Sequence, residues 1–159
     1  SLGQIELIPF AKAFQEGLDV IMTAHVVYPA WDEISAATFS KFILNDLLRK
    51  KMGFTGLVMS DDLEMQAVTQ APEEIPALAI NAGVDLFLIC HDLSKVTHLQ
   101  NALIDGFETE KISHEAVENS FNRIIKAKQK LNDQNDVNLE QVLSENQKLA
   151  EEMRSYLIE

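Results

Sequence analysis

Asp61 and Asp62 stand side by side behind an apolar run, in "GFTGLVMSDDLEM" from Gly53 to Met65. Adjacent carboxylates repel, and at a buried strand end both the neighbouring charge and desolvation disfavour ionisation. A fold that keeps such a pair there needs something to offset the cost. Asp61 follows its apolar run with no Gly or Pro to form a turn, so on pattern alone a site acid and a cap or turn residue are equal readings of it. Asp62 reads as a helix cap or structural acid. Other residues of useful chemistry end two further apolar runs: Thr23 and His25 in "VIMTAHV", and His91 with Asp92 after "LFLIC". His25, Asp61 and His91 together are the donor types of a metal-dependent hydrolase, although the chain has no closely spaced His pair such as HxH or HxxxH. Asp61 with Asp62 would alternatively suit Mg²⁺ in a non-enzymatic phosphate-receiving α/β module. No Thr and Lys follow on a later strand end to complete that site.

The elements that would position these residues repeat one plan. Leu7, Ile8, Phe10, Ala11 and Phe14 share a helical face before Gly17, and "VIMTAHV" then reads as a strand. Ser40 to Met52 carries Phe42, Ile43, Leu47 and Leu48 at helical spacing, followed by "TGLVMS" with Asp61 at its end. Ile75 to Ala82 is a third helix and "LFLICH" a third strand. The turns "EGLD" and "AGVD" repeat each other, each with a Gly suited to positive φ at a helix end and an Asp before the strand. Continuously apolar strands joined by helical crossovers are parallel and covered on both faces. In such architectures ligands bind beyond the carboxyl ends of the strands, where Thr23, His25, Ser60, Asp61, Asp62, His91 and Asp92 all fall. Amphipathic helices over Leu93 to Phe107 and Ile112 to Leu131 follow, the latter with an apolar stripe of Ala116, Val117, Phe121, Ile124, Ile125, Ala127 and Leu131. After the linker-like "NDQNDVN" comes a final helix with Leu139, Val142, Leu143, Leu149 and Met153 facing inward. Residues 1–131 thus form one unit, with 132–159 a linker and helix.

At 159 residues and 47% hydrophobic, the chain has the material for one core. A formal charge of -12 without a dense Lys/Arg cluster argues against nucleic acid. No apolar run reaches the roughly 20 residues of a membrane span, and no signal peptide is visible. The single cysteine, Cys90, excludes an internal disulfide and reads as a buried, inert thiol.

"DVIMTAHVVYP", "FSKFILNDLLRKKMGFTGLVMSDDLEM" and "NAGVDLFLIC" resemble the C-terminal part of the catalytic barrel of glycoside hydrolase family 3, in its bacterial β-N-acetylhexosaminidase branch. The resemblance spans roughly Leu7 to His91, more loosely to Leu131, and rests most on "LR..MGF.G.V.SDDL.M". It implies an α/β fold that is part of a (β/α)8 TIM barrel, about three parallel βα units with additional C-terminal helices. It also implies a retaining glycosidase acting on terminal N-acetylglucosamine, such as that of cell-wall peptidoglycan muropeptides, in a bacterial cytoplasm and without cofactor or metal. Asp61 maps onto the family's nucleophile. His25 would stand near the sugar as a binding residue, with Ser60 and Asp62 structural neighbours.

A retaining glycosidase needs its carboxylate about 5–5.5 Å from a proton donor. In this branch the donor is a His paired with an Asp on a loop within a "KH(F)PGHG...DSH"-like region, and no such segment occurs in the chain. A barrel of this kind has eight strands. The expectation is therefore a fragment that is inactive alone, whose partners are the missing N-terminal part of the barrel or a second copy covering its sheet.

Overall fold

The computed structural model describes residues 5–132 and 139–155. In chain order it runs α1 (Ile8–Gln15), β1 (Val20–Met22), a 3-10 turn (Ala37–Phe39), a π-helical segment (Phe42–Lys51), β2 (Leu57–Asp62), α2 (Ile75–Ala82), β3 (Leu86–Leu88), α3 (Leu93–Glu108), α4 (His114–Asn132) and α5 (Leu139–Ser155). The strands form one parallel sheet in the order β1-β2-β3. Two compact units divide the chain, Ser1–Ala127 and Lys128–Glu159. No helix among the described residues is long and apolar enough to cross a membrane.

The repeated turns behave as their glycines dictate. Gly17 has φ 86° and Gly83 φ 121°, conformations that a Cβ disfavours. At Gly56 the requirement is space: a Cβ there would run into the Asp19 carbonyl and reach within 2.7 Å of the Phe54 ring. That close approach lets the Leu57 N–H donate to the Asp19 carbonyl at 2.9 Å, which starts the β1–β2 pairing.

One face of the sheet packs on helices. Val58, with no exposed surface, shares a core with Ile43, Leu44, Leu48, Phe54, Ile75, Ala79 and Val84, and Ile21 and Phe87 pack against it from the flanking strands. The side chains alternating with Ile21 point the other way, and Val20 and Met22 are exposed.

Several amphipathic assignments change in detail. Phe14 packs on Phe54 with ring centroids 4.6 Å apart, whereas Ile8 and Phe10 of the same helix are exposed. In the second helical segment Leu44 enters the core and Phe42 faces out, because π winding carries more residues per turn than the α spacing assumes. On α4, Phe121, Ile125 and Leu131 are exposed. So are Val142, Leu143 and Leu149 of α5, contrary to the inward face expected of them; the side chains of Leu139 and Met153 lie outside the described residues.

Candidate functional site

β2 runs through Ser60 and Asp61 to Asp62, so both acids belong to the strand's last residues and not to a loop beyond it. Its register with β3 slips there: Met59 pairs with Leu86 but Asp62 with Leu88, which puts two residues, Ser60 and Asp61, opposite Phe87. Such a bulge bends a strand end and re-aims its side chains. Ser60 is wholly buried, and its hydroxyl accepts from the Leu88 N–H at 3.0 Å, which restores the pairing that the bulge interrupts. Asp61 and Asp62 are half-buried.

The two carboxylates separate by binding different backbone amides. Asp61 Oδ1 accepts from the Asp62 N–H at 2.8 Å, and Asp62 Oδ1 from the Glu64 N–H at 3.1 Å. Among the described residues no hydrogen bond reaches Asp61 Oδ2. Asp62 thus closes a turn through the Glu64 amide and does not cap a helix, since α2 begins only at Ile75.

His25 is buried, and both ring nitrogens are committed to protein. Nε2 lies 3.1 Å from the Asp62 carbonyl, which can only accept, so this nitrogen carries the proton. Nδ1 lies 2.9 Å from the Thr38 hydroxyl, itself 2.8 Å from Thr23 Oγ1 and 3.2 Å from the Ala24 carbonyl. His25 therefore ties the segment after β1 to the end of β2, and Phe39 stacks on its ring at 6.2 Å.

The residue that sequence reasoning missed is Glu64. Its carboxylate reaches across to the loop after β3 and accepts from the backbone N–H groups of Cys90 at 3.1 Å, His91 at 2.5 Å and Asp92 at 3.2 Å, and from Lys95 Nζ at 3.1 Å. Desolvation pushes this carboxyl upward, but the His91 amide, the Lys95 ammonium and the Asp92 amide outweigh it and hold the pKa at about 2. The four bonds span 26 to 31 residues, so no local pattern announces them. A conspicuous acid two residues after the acidic pair was the one available sign.

Beyond β3, Asp92 caps α3 through the Ser94 N–H at 2.9 Å. Cys90 is exposed, not buried, because β3 ends at Leu88. Desolvation and the negative charges of Asp62, Glu64 and Asp61 still push its thiol pKa up, which keeps it protonated. The structure does not gather His25, Asp61 and His91 into a metal centre. The described His, Cys, Asp and Glu residues whose ligand atoms converge are Asp62, Glu64 and His91.

Comparison with known proteins agrees with this architecture. The family model for the glycosyl hydrolase family 3 N terminal domain matches residues 1–127. A beta-hexosaminidase from Hydrogenovibrio crunogenus is 40% identical over 119 residues, covering 69% of this chain and 30% of that protein. A glycoside hydrolase family 3 beta-N-acetylglucosaminidase from Paenibacillus sp. str. FPU-7 superposes with a TM-score of 0.80 at 34% identity, over 87% of this chain and 27% of that one. The beta-N-acetylglucosaminidase from Thermotoga maritima gives a TM-score of 0.74 at 37% identity, over 79% and 28%. The chain thus spans about 30% of the length of its curated relative. With a family match over residues 1–127 and structural neighbours of the same kind, the chain belongs to glycosyl hydrolase family 3.

Proposed function

We propose that this chain supplies the nucleophile-bearing part of a retaining β-N-acetylglucosaminidase, with Asp61 as the nucleophile. The sheet β1-β2-β3 would be three consecutive strands of a (β/α)8 barrel, and the proton donor would lie in a part of the enzyme beyond the span of this chain. The observation that carries the reading is Asp61 itself: a half-buried carboxylate at the carboxyl end of a parallel strand, on a bulge, with one oxygen held by a backbone amide and no hydrogen bond to the other among the described residues. An amide bonded to a carboxylate favours its ionised form, and rigid placement at a strand end is what in-line attack on an anomeric carbon requires. The relatives named as beta-N-acetylglucosaminidases support glycosides ending in N-acetylglucosamine as the substrate class; cell-wall muropeptides are the instance proposed.

His25 and Thr38 would keep the β2 end in place by holding the Asp62 carbonyl, a positioning role in this reading. The test is a mechanism-based fluorosugar that traps the glycosyl-enzyme on the complete protein, followed by peptide mass spectrometry. The label is expected on Asp61; finding it on Asp62 or Glu64 overturns the assignment. The 159-residue chain alone, lacking a donor, is expected to show no turnover of an aryl N-acetylglucosaminide, and robust turnover would contradict the division of the active site.

A further inference from the structure

We propose that Asp62, Glu64 and His91 bind one divalent cation of the zinc class at a site separate from the Asp61 carboxylate. His91 Nδ1 faces two carboxylate oxygens, Asp62 Oδ2 at 3.6 Å and Glu64 Oε2 at 3.4 Å, and the three ligand atoms all lie within 4.8 Å of one another. Both separations exceed those of an N–H···O bond, about 2.7–3.2 Å. They match the spacing of neighbouring ligands around a small tetrahedral ion, about 3.3–3.5 Å for bond lengths near 2.0–2.1 Å. His91 is thus spaced from both carboxylates for a shared ion and not for direct bonding.

The donor set selects the ion. An imidazole nitrogen with two carboxylate oxygens suits zinc-like ions, whereas Mg²⁺ and Ca²⁺ prefer oxygen alone. Three protein ligands leave a fourth position for water. Charge favours a cation as well: Asp61, Asp62 and Glu64 crowd this strand end, with Lys95 the cation bonded to Glu64.

The supporting contacts orient the ligands. Asp62 Oδ1 is taken by the Glu64 N–H, which leaves Oδ2 toward His91, and its backbone is held by His25. Glu64 is fixed by the Cys90, His91 and Asp92 amides and Lys95. Its Oε2 also accepts from the Cys90 and His91 amides and, at 3.3 Å, from the Asp92 amide, so Glu64 is the weakest of the three ligands. The His91 side chain is 81% exposed, so the ion has an open path. Bound there, it would join the end of β2 to the start of the loop after β3. Asp61 is outside the ligand set, so the site stands or falls independently of the nucleophile assignment.

Calorimetric titration of the chelator-treated 159-residue chain with Zn²⁺ tests the site. One equivalent should bind, Mg²⁺ should bind far more weakly, and His91→Ala should weaken Zn²⁺ by about tenfold or more. Because His91 is exposed, that variant keeps its fold, which circular dichroism verifies; Asp62→Asn is the second variant and should weaken Zn²⁺ in the same way. No saturable binding, or titrations of both variants superposing on the parent chain, would overturn the proposal.

Discussion

The Asp85 carboxylate, whose side chain has no solvent exposure, grips Arg123 with a single oxygen: Oδ1 accepts from Nη2 at 2.7 Å and from Nε at 3.0 Å. Its other oxygen accepts from Arg49 Nη2 at 2.8 Å and from the Val58 N–H at 2.9 Å. Arg49 continues to the carbonyls of Gly56 and Gly83 at 3.1 and 3.2 Å. One buried acid therefore joins the π-helical segment, the starts of β2 and β3, and α4. Asp85→Ala leaves two guanidinium groups unpaired, and breaking a buried pair in this way costs about 3–5 kcal/mol. Urea denaturation should show a loss of that size, and a change within 1 kcal/mol would mean that the two arginines re-pair with water at little cost.

Thr38 is wholly buried, and its hydroxyl stands between Thr23, Ala24 and His25. Thr38→Val keeps the shape but leaves His25 Nδ1 and the Thr23 hydroxyl without this partner, an expected loss of about 1–3 kcal/mol. In the complete enzyme the same substitution should lower kcat more than it raises KM, because it loosens the strand end bearing Asp61 without touching the sugar. Unchanged stability together with unchanged kcat would remove His25 and Thr38 from any positioning role.

What the sequence made legible is what depends on local pattern. The parallel sheet follows from continuous apolar runs separated by helical spacing, and the two Gly-containing turns mark where helices stop, as the positive φ at Gly17 and Gly83 bears out. α2 falls on Ile75–Ala82 as its spacing indicates. Asp85 was visible only as the Asp of "AGVD"; its use as a buried acid depends on Arg49 and Arg123, 36 and 38 residues away. Glu64 was hidden for the same reason, since its partners are amides brought near by the β2–β3 pairing. The π winding of Phe42–Lys51 was hidden because Phe42, Ile43, Leu47 and Leu48 read equally well as an α-helical stripe.

Glu64→Gln tests the clamp on the loop after β3. The amide side chain retains one acceptor oxygen but loses the charge that strengthens its bonds to three backbone N–H groups and Lys95. In the presence of chelator, hydrogen exchange at Cys90, His91 and Asp92 should quicken by roughly tenfold, while the buried Val58 amide keeps its protection. Equal exchange in both proteins would show that the loop is held by β3 and α3 without Glu64.

The last prediction concerns the face of the sheet on which β1 is exposed, although Leu57 of β2 is buried there. β1 and β3 each have one edge without a strand partner among the described residues, and Val20 and Met22 on β1 are exposed on the side away from the helices. Apolar side chains beside an unpaired strand edge favour association with another chain. In the proposed barrel that face and those edges would be covered by neighbouring strands; in the chain alone a second copy is the available cover, and a two-fold contact is the commonest form. Sedimentation velocity at micromolar concentration should therefore show dimers or larger species. Met22→Lys, which puts a charge beside the β1 edge, should shift them toward monomer, with helical content unchanged by circular dichroism. A monodisperse monomer for the parent chain would mean that it covers its own sheet, and the three strands would then be better read as a small self-contained α/β domain than as a sector of a barrel.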